Sequence, residues 1–137
     1  MPQISEITKQ KKRERFNIFL DGRFAFSVSN YSLLENKLAI GNVLDEEKIN
    51  GILSKEQIGT LTDLAVKFLS IRPRSEKEVI DYLVKKIAIK NEIKFSEAQK
   101  SPLINRVISK LKRYKYINDK EFASWLLNSR LKSSSPR

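Results

Sequence analysis

The chain of 137 residues contains neither cysteine nor histidine. Without cysteine it cannot form disulfides or thiolate metal sites, and without histidine it lacks the commonest base of nucleophilic catalysis. These absences exclude most zinc chemistry and the Ser-His and Cys-His enzymes, which leaves carboxylates, lysine, serine or tyrosine for any enzyme. The four glycines are scattered rather than gathered into a phosphate loop, and no carboxylate pair stands out. We therefore predict a protein that is not an enzyme and that has no metal or cofactor.

Long apolar runs are also missing. No stretch reaches the roughly 18 consecutive apolar residues of a membrane span, and the N-terminal segment carries charges where a signal peptide needs an apolar core. A composition of 40% hydrophobic and 31% charged residues is that of a globular chain, long enough for one ordinary domain or two small ones. We predict a cytoplasmic protein with no membrane or small-molecule partner.

Acidic residues are scarce relative to basic ones in the second part of the chain. Residues 1–60 carry 9 basic and 8 acidic side chains, whereas residues 61–137 carry 18 basic and 8 acidic ones. Nearly all of the net charge of +11 therefore lies in the second part. Such a concentration favours an anionic partner for that part, either nucleic acid or an acidic protein surface. The alternative is a basic surface that serves only solubility.

The first part of the sequence predicts a small antiparallel sheet. Asp21-Gly22 separates two alternating runs and supplies the positive φ angles of a tight hairpin turn. In the second run Phe24, Phe26 and Val28 share one parity, which places them on one face. The run ISEIT is a candidate third strand. The run KKRER, residues 11–15, could contact an anion, but we interpret it as a solvated strand edge.

Helical patterns begin near Asn30. We expect a short helix that Gly41 closes, then a helix that Asp45 caps, and then a separate helix that ends before Pro73. A polar stretch at residues 90–100 is predicted to be a long loop.

Three further helix starts follow in the second part. Ser75 and Glu78 form an S-x-x-E capping box, and Ser101 precedes a proline at the first helical position. Asn118 precedes a first turn with acidic residues, so it is predicted to cap the last helix.

The segment DLAVKFLSIR, residues 63–72, resembles EFASWLLNSR, residues 121–130, in its acid, its alanine and its arginine. We interpret this as an internal repeat of three-helix units. The predicted fold is mainly α, with tandem three-helix repeats and a small N-terminal β-hairpin element. Its domains are residues 1–58, a first repeat at 59–116 and the start of a second at 117–137. Because the chain stops within that second repeat, we expect it to be an N-terminal fragment of a longer protein.

A stripe of cations marks the third helix of the first repeat. Arg106, Lys110 and Arg113 recur at i, i+4 and i+7, opposite much of the apolar face, and Lys112 and Lys115 extend the stripe. Such a stripe could bind phosphates or an acidic protein groove. The alternative is an ordinary solvated helix face.

Two basic corners occupy equivalent places in the repeat. Arg72 with Arg74 ends one helix, and Arg130 with Lys132 ends its counterpart. Arginine can clamp a carboxylate or a phosphate, but it can also satisfy the last carbonyls of a helix. We interpret Arg72 as a structural brace of the corner and expect Arg74 and Lys132 to reach outward to a partner.

Four aromatic residues lie near these cations. They are Tyr114, Tyr116, Phe122 and Trp125. They could stack on bases as in single-strand binders, but their helical spacing beside leucine and isoleucine favours a place in the core.

The segments LSIRPRSEKEVIDYL, VISKLKRYKYINDKEFA and SRLK, in this order, resemble the RecX family of bacterial recombination regulators. The N-terminal segment ITKQKKRERFNIFLDGRFAFSVS is similar to the β-rich extension that many members carry. The chain departs from the family's pattern in one place: the link between the second and third helices is long and lacks the usual Lys-Gly step.

The resemblance implies a protein of three-helix repeats that binds the recombinase RecA and its DNA filament and inhibits its activity. The expected context is DNA repair, DNA recombination and the SOS response, with possible direct contact to single- or double-stranded DNA. A plain nucleic-acid-binding helical repeat, without sequence preference, is the alternative that the basic composition leaves open.

Overall fold

The structure, a computed structural model, describes the backbone of residues 1–134 and the side chains as far as Leu131. The N-terminal part forms a three-stranded antiparallel sheet of order β1-β2-β3. Its strands are β1 (Ile4–Lys9), β2 (Arg15–Leu20) and β3 (Arg23–Ser29). The predicted hairpin turn and the predicted third strand are both confirmed. Asp21 and Gly22 adopt the positive φ angles, 50° and 84°, that this tight turn requires.

A β-bulge in the hairpin changes the predicted faces. The register passes from Ile18 opposite Phe26 to Phe19 opposite Phe24, so Ala25 is the extra residue of β3. Phe24 therefore lies on the other face from Phe26, where it is 58% exposed and packs edge-on against Phe19 at 5.9 Å. The prediction that Phe24 shares a face with Phe26 is wrong, because simple alternation cannot anticipate an inserted residue.

The run KKRER was predicted to be a solvated strand edge, and this prediction is wrong. Its first four residues form the loop between β1 and β2, and only Arg15 belongs to a strand. Arg15 forms an ion pair with Glu56 at 3.1 Å. Apolar residues of the sheet and of the segment that follows it form the first core. Its buried members are Ile4, Ile18, Phe26, Val28, Leu38, Leu44 and Ile52.

Six helices follow the sheet in the described residues. They are α1 (Asn30–Glu35), α2 (Glu46–Ile71), α3 (Glu76–Asn91), α4 (Phe95–Ala98), α5 (Pro102–Arg113) and α6 (Asp119–Ser134). None of the described helices is both long and apolar enough to cross a membrane. The predicted fold class, mainly α with a small N-terminal antiparallel sheet, is confirmed.

Helix α2 is one continuous helix of 26 residues, where the sequence predicted two. Asp45 caps it as expected, since its Oδ1 accepts a hydrogen bond from the Lys48 amide at 2.7 Å. Gly51 and Gly59 lie inside the helix. A glycine costs a helix only about 1 kcal/mol, and no proline interrupts the segment, so the helix continues to Ile71.

The chain forms two compact units, Met1–Gln57 and Ile58–Arg137, and α2 runs through the division. The core of the second unit is built from α2, α3, α4 and α5. Its buried members are Leu61, Ala65, Val79, Leu83, Val84, Ile87, Ala98, Ile104, Val107, Ile108, Leu111 and Ile117. The division into one complete and one incomplete three-helix repeat stays a prediction.

Three helices end on a side-chain-bearing residue in the left-handed conformation. These residues are Lys37, Glu92 and Lys115, with φ between 52° and 63°. In each case the next amide closes a bond to the carbonyl five residues back, as in the Schellman motif, for example from Ile93 to Ala88 at 3.1 Å. Helix α1 therefore ends before Lys37 and not at Gly41.

The residues 90–100 are not a long loop. Helix α3 continues to Asn91, and the one-turn helix α4 follows after only three residues, Glu92, Ile93 and Lys94. Glu92 occupies the left-handed position where a glycine is the usual residue. Helix α3 therefore ends on a glutamate under backbone strain.

Replacing Glu92 with glycine is expected to raise the free energy of unfolding by about 1 kcal/mol, because glycine avoids the cost of a Cβ in this conformation. Urea denaturation measures the change. Lys85→Gly is the matched control, since Lys85 is exposed inside α3 and its loss should lower the free energy by about 1 kcal/mol. A decrease for both variants would contradict the assigned strain.

Candidate functional site

Helix α5 presents its cations because its other side is anchored in the core. Ser101 caps the helix by accepting a hydrogen bond from the Leu103 amide at 3.4 Å, and Pro102 occupies the first turn. Val107 and Leu111 are fully buried. These local signals and the burial fix both the start and the rotation of the helix, so the opposite face is directed away from the core.

The predicted stripe of Arg106, Lys110 and Arg113 lines one groove of about 510 Å³. The other lining residues are Ile58, Asn105 and Ser109. Among the described residues, no carboxylate lines this groove and none forms an ion pair with any of the three cations. We call this the α5 groove. Three unneutralised cations in one concavity create a positive potential that favours an anionic ligand.

The two cations that were predicted to extend the stripe differ from one another. Lys112 forms an ion pair with Glu76 at the start of α3, so its charge is partly neutralised. Lys115 is exposed just after the end of α5, and it forms no ion pair with a described residue. The structure therefore favours Lys115 over Lys112 as an anion-binding residue.

Arg72 braces the corner between α2 and α3, as its sequence position predicted. Its Nη2 donates to Glu78 Oε2 at 2.8 Å, and its Nη1 donates to the Pro73 carbonyl oxygen at 2.8 Å. The guanidinium also lies over the Trp125 ring of α6, at 4.5 Å from the centroid. One side chain thus joins the end of α2, the start of α3 and the face of α6.

Arg74 does not reach outward, and the prediction that it does is wrong. Its side chain is only 14% exposed, and its guanidinium lies over the Phe68 ring at 4.0 Å. Its Nη1 is also 3.8 Å from Glu78 Oε2. Phe68 in turn stacks on Tyr82 at 4.1 Å, so Arg74 covers the end of an aromatic pair.

The predicted capping box at the start of α3 is confirmed, because Ser75 Oγ accepts a hydrogen bond from the Glu78 amide at 3.1 Å.

The second predicted corner lies at the end of α6. Arg130 is exposed there, and the side chain of Lys132 lies outside the described residues. Asn118 caps α6 as predicted, since its Oδ1 accepts hydrogen bonds from the amides of Lys120 and Glu121. Whether Arg130 or Lys132 binds a partner stays a prediction.

The four aromatic residues separate into two pairs. Phe122 and Trp125 are half-buried and stack on each other at 6.1 Å. Tyr114 and Tyr116 are 60% and 50% exposed, so the prediction that they lie in the core is wrong. The left-handed turn at Lys115 explains the difference, because it ends the helical spacing on which the prediction depended.

Two groove residues could have been found from the sequence. Ser109 lies three residues after Arg106, and Asn105 directly precedes Arg106 in the sequence. Asn105 and Ser109 therefore belong to the same surface of α5 as the stripe. Ile58 could not have been found, because it comes from α2 and reaches the groove only through tertiary packing. Among the described residues no cluster of acidic side chains is placed to hold a metal ion.

Comparisons with known proteins match both parts of the chain. The profile of the regulatory protein RecX N-terminal domain matches residues 2–45, and that of the first three-helix domain of RecX matches residues 63–87. The chain belongs to the RecX family. The first matched range lies within the N-terminal unit, and the second lies within the C-terminal unit and includes parts of α2 and α3.

Several RecX proteins of bacteria are similar to this chain over most of its length. The regulatory protein RecX of Bacillus pumilus is 43% identical over 136 residues, which cover 98% of this chain and 48% of that protein. The Bacillus subtilis protein is 40% identical over 135 residues, which cover 98% and 47%. This RecX-family chain thus spans about half the length of the curated relatives that it matches.

A solved structure supports the same family. The crystal structure of regulatory protein RecX is similar to this chain with a TM-score of 0.66 and 26% identity, over 96% of this chain and 60% of that one. These bacterial relatives and this solved structure are all named as the regulatory protein RecX.

Proposed function

We propose that this chain regulates the recombinase RecA by binding RecA–DNA filaments, and that the α5 groove is part of its binding surface. The observation that carries the proposal is the set of three cations in a groove without a carboxylate. RecX relatives are regulatory proteins, so a binding surface rather than a catalytic site is the feature to expect.

The chemistry of the groove suits a filament that contains DNA. Arg106 and Arg113 can each donate two parallel hydrogen bonds to a phosphate, and Lys110 between them adds a point charge. Asn105 and Ser109 add neutral donors at the same surface. A bound filament would also present the acidic groups of its protein subunits to these cations, so both components can contribute to the attraction.

The mechanism that follows is binding of the chain to the filament, without a catalysed reaction. A protein that binds the filament better than its free components shifts the equilibrium among filament states by its differential affinity alone. Inhibition of ATP hydrolysis or strand exchange then requires no catalytic residue in the bound regulator. The proposed action is inhibition by such binding, without an enzymatic step and without a cofactor.

The nucleic-acid-binding module remains the second candidate, because the same groove also fits bare DNA. A side-by-side titration separates the two: this chain is added to fluorescent single-stranded DNA, once bare and once coated with RecA. We expect at least tenfold tighter binding to the coated strand, together with slower DNA-dependent ATP hydrolysis by RecA. An increase of this size corresponds to about 1.4 kcal/mol of additional contact with protein.

The control and the opposing outcomes are defined by the same experiment. Binding at 0.5 M salt should be much weaker for both ligands, because the attraction is electrostatic. Equal affinity for the two strands with unchanged ATP hydrolysis would support the nucleic-acid module instead. No binding to either ligand at low salt would reject both functions.

A further inference from the structure

The segment between α5 and α6 exposes two aromatic rings among cations. Tyr114 and Tyr116 flank Lys115, and all three side chains are exposed. We call these three residues the tyrosine turn. Neither hydroxyl is hydrogen-bonded to a described residue, so no hydrogen bond of a hydroxyl within the described structure accounts for these two tyrosines.

The tyrosine turn is held rigidly although its side chains are exposed. The Tyr116 amide donates to the Leu111 carbonyl oxygen at 2.8 Å, which closes the end of α5. Leu111 before the turn and Ile117 after it are both buried in the core. The backbone that carries the two rings is therefore fixed by a closed helix end and two apolar anchors, so binding a ligand there costs little backbone conformational entropy.

The tyrosine turn adjoins the α5 groove at Tyr114, whereas Tyr116 lines a second cavity together with Asn118 and Glu121. Arg113 lines the groove, and its guanidinium lies over the Tyr114 ring at 5.4 Å. A nucleic-acid strand whose phosphates bind Arg106 and Arg113 would therefore place its next nucleotides near Tyr114.

We infer that the tyrosine turn stacks on unpaired bases of single-stranded nucleic acid whose phosphates lie in the α5 groove. Exposed aromatic rings beside a basic groove are the combination that sequence-independent single-strand binders use. A duplex hides the faces of its bases, so the rings would add nothing to duplex binding. The inference rests on the proposed function only for the α5 groove, and it requires no recombinase.

The test uses fluorescence anisotropy with three ligands of equal length: oligothymidylate, an abasic strand and a duplex. The intact chain should bind oligothymidylate about tenfold more tightly than the abasic strand, because stacking adds affinity for each base. The double variant Tyr114→Ala/Tyr116→Ala should lose this tenfold on oligothymidylate and nothing on the other two ligands. The dependence on salt should be unchanged, since no cation is removed.

Two further variants serve as controls. Tyr31→Ala removes a tyrosine that is 74% exposed in the other unit, and it should bind like the intact chain. Tyr114→Phe/Tyr116→Phe keeps both rings and should retain the tenfold preference. Equal affinity of the intact chain for oligothymidylate and the abasic strand would overturn the inference, whatever the alanine variant does. So would an equal loss on all three ligands, which would indicate contact with phosphates or a damaged fold. Because the assay contains no RecA, neither result would contradict the proposed regulation of the filament.

Discussion

Replacing Arg106, Lys110 and Arg113 together with glutamine is expected to weaken binding to single-stranded DNA about 100-fold at 0.1 M salt. Each contact between a cation and a phosphate of a single strand releases about 0.7 of a counterion. Three such contacts therefore contribute about −2 to the slope of log K against log salt, and the triple variant loses this contribution. A slope difference of about 2 is a factor of about 100 in affinity between 0.1 M and 1 M salt. The loss should nearly vanish at 1 M salt. Anisotropy titrations at several salt concentrations measure it, and a similar loss is expected on RecA-coated DNA.

The first unit provides a control with the same change of charge. Lys11, Lys12 and Arg13 are exposed in the loop between β1 and β2 and form no ion pair with a described residue. Their triple replacement with glutamine also removes three charges, but from a surface that the proposal does not use. Affinity should fall by less than about threefold. Equal losses for both triple variants would mean that net charge, and not the α5 groove, governs binding.

Folding must remain intact for this comparison. The three groove cations form no ion pair with described residues, and surface substitutions of this kind usually change stability by less than about 0.5 kcal/mol each. The melting temperature of the groove variant should thus stay close to that of the intact chain. A large decrease would show that the cations support the fold.

Replacing Glu78 with glutamine is expected to lower the free energy of unfolding of the second unit by about 2 kcal/mol. This carboxylate is the counter-charge for Arg72 at 2.8 Å and for Arg74 at 3.8 Å. Without it two half-buried guanidinium groups lose their neutralisation, and breaking a fully buried pair costs roughly 3–5 kcal/mol. The Glu78 side chain is 33% exposed, so water compensates for part of that cost. Urea denaturation followed by circular dichroism measures the change.

The matched control for this variant is Glu97→Gln. Glu97 is exposed in α4, and its side chain forms no ion pair with a described residue. Its replacement should change the free energy of unfolding by less than about 0.5 kcal/mol. The loss in Glu78→Gln should persist at 0.5 M salt, because a half-buried pair is screened less than a surface pair. A loss that salt abolishes would show that the corner behaves as an ordinary surface pair.

Local chemistry explains why most starts of elements were predictable. Asp45, Ser75, Ser101 and Asn118 each hold an amide of the following turn, and that bond depends on a few neighbouring residues. The turn at Asp21-Gly22 is local in the same sense. The positions of these features could therefore be predicted without knowledge of the tertiary structure.

The ends of helices were less predictable, because burial decides them here. Leu38 and Ile93 follow the left-handed residues Lys37 and Glu92, and both pack into a core. Their burial offsets the strain of a left-handed lysine or glutamate, so the usual glycine signal is absent. The continuity of α2 through Gly51 and Gly59 has a related cause, since packing outweighs a weak local preference.

The strongly basic character of the second part of the chain and the common helix face of Arg106, Lys110 and Arg113 were both predictable without coordinates. Both properties follow from composition and helical spacing. Which cations keep an unneutralised charge depends instead on how the helices pack. Glu76 neutralises Lys112, and Phe68 and Glu78 hold Arg74. The physical reason is that neutralisation and burial depend on distances between elements, and the spacing of residues along one helix does not contain those distances.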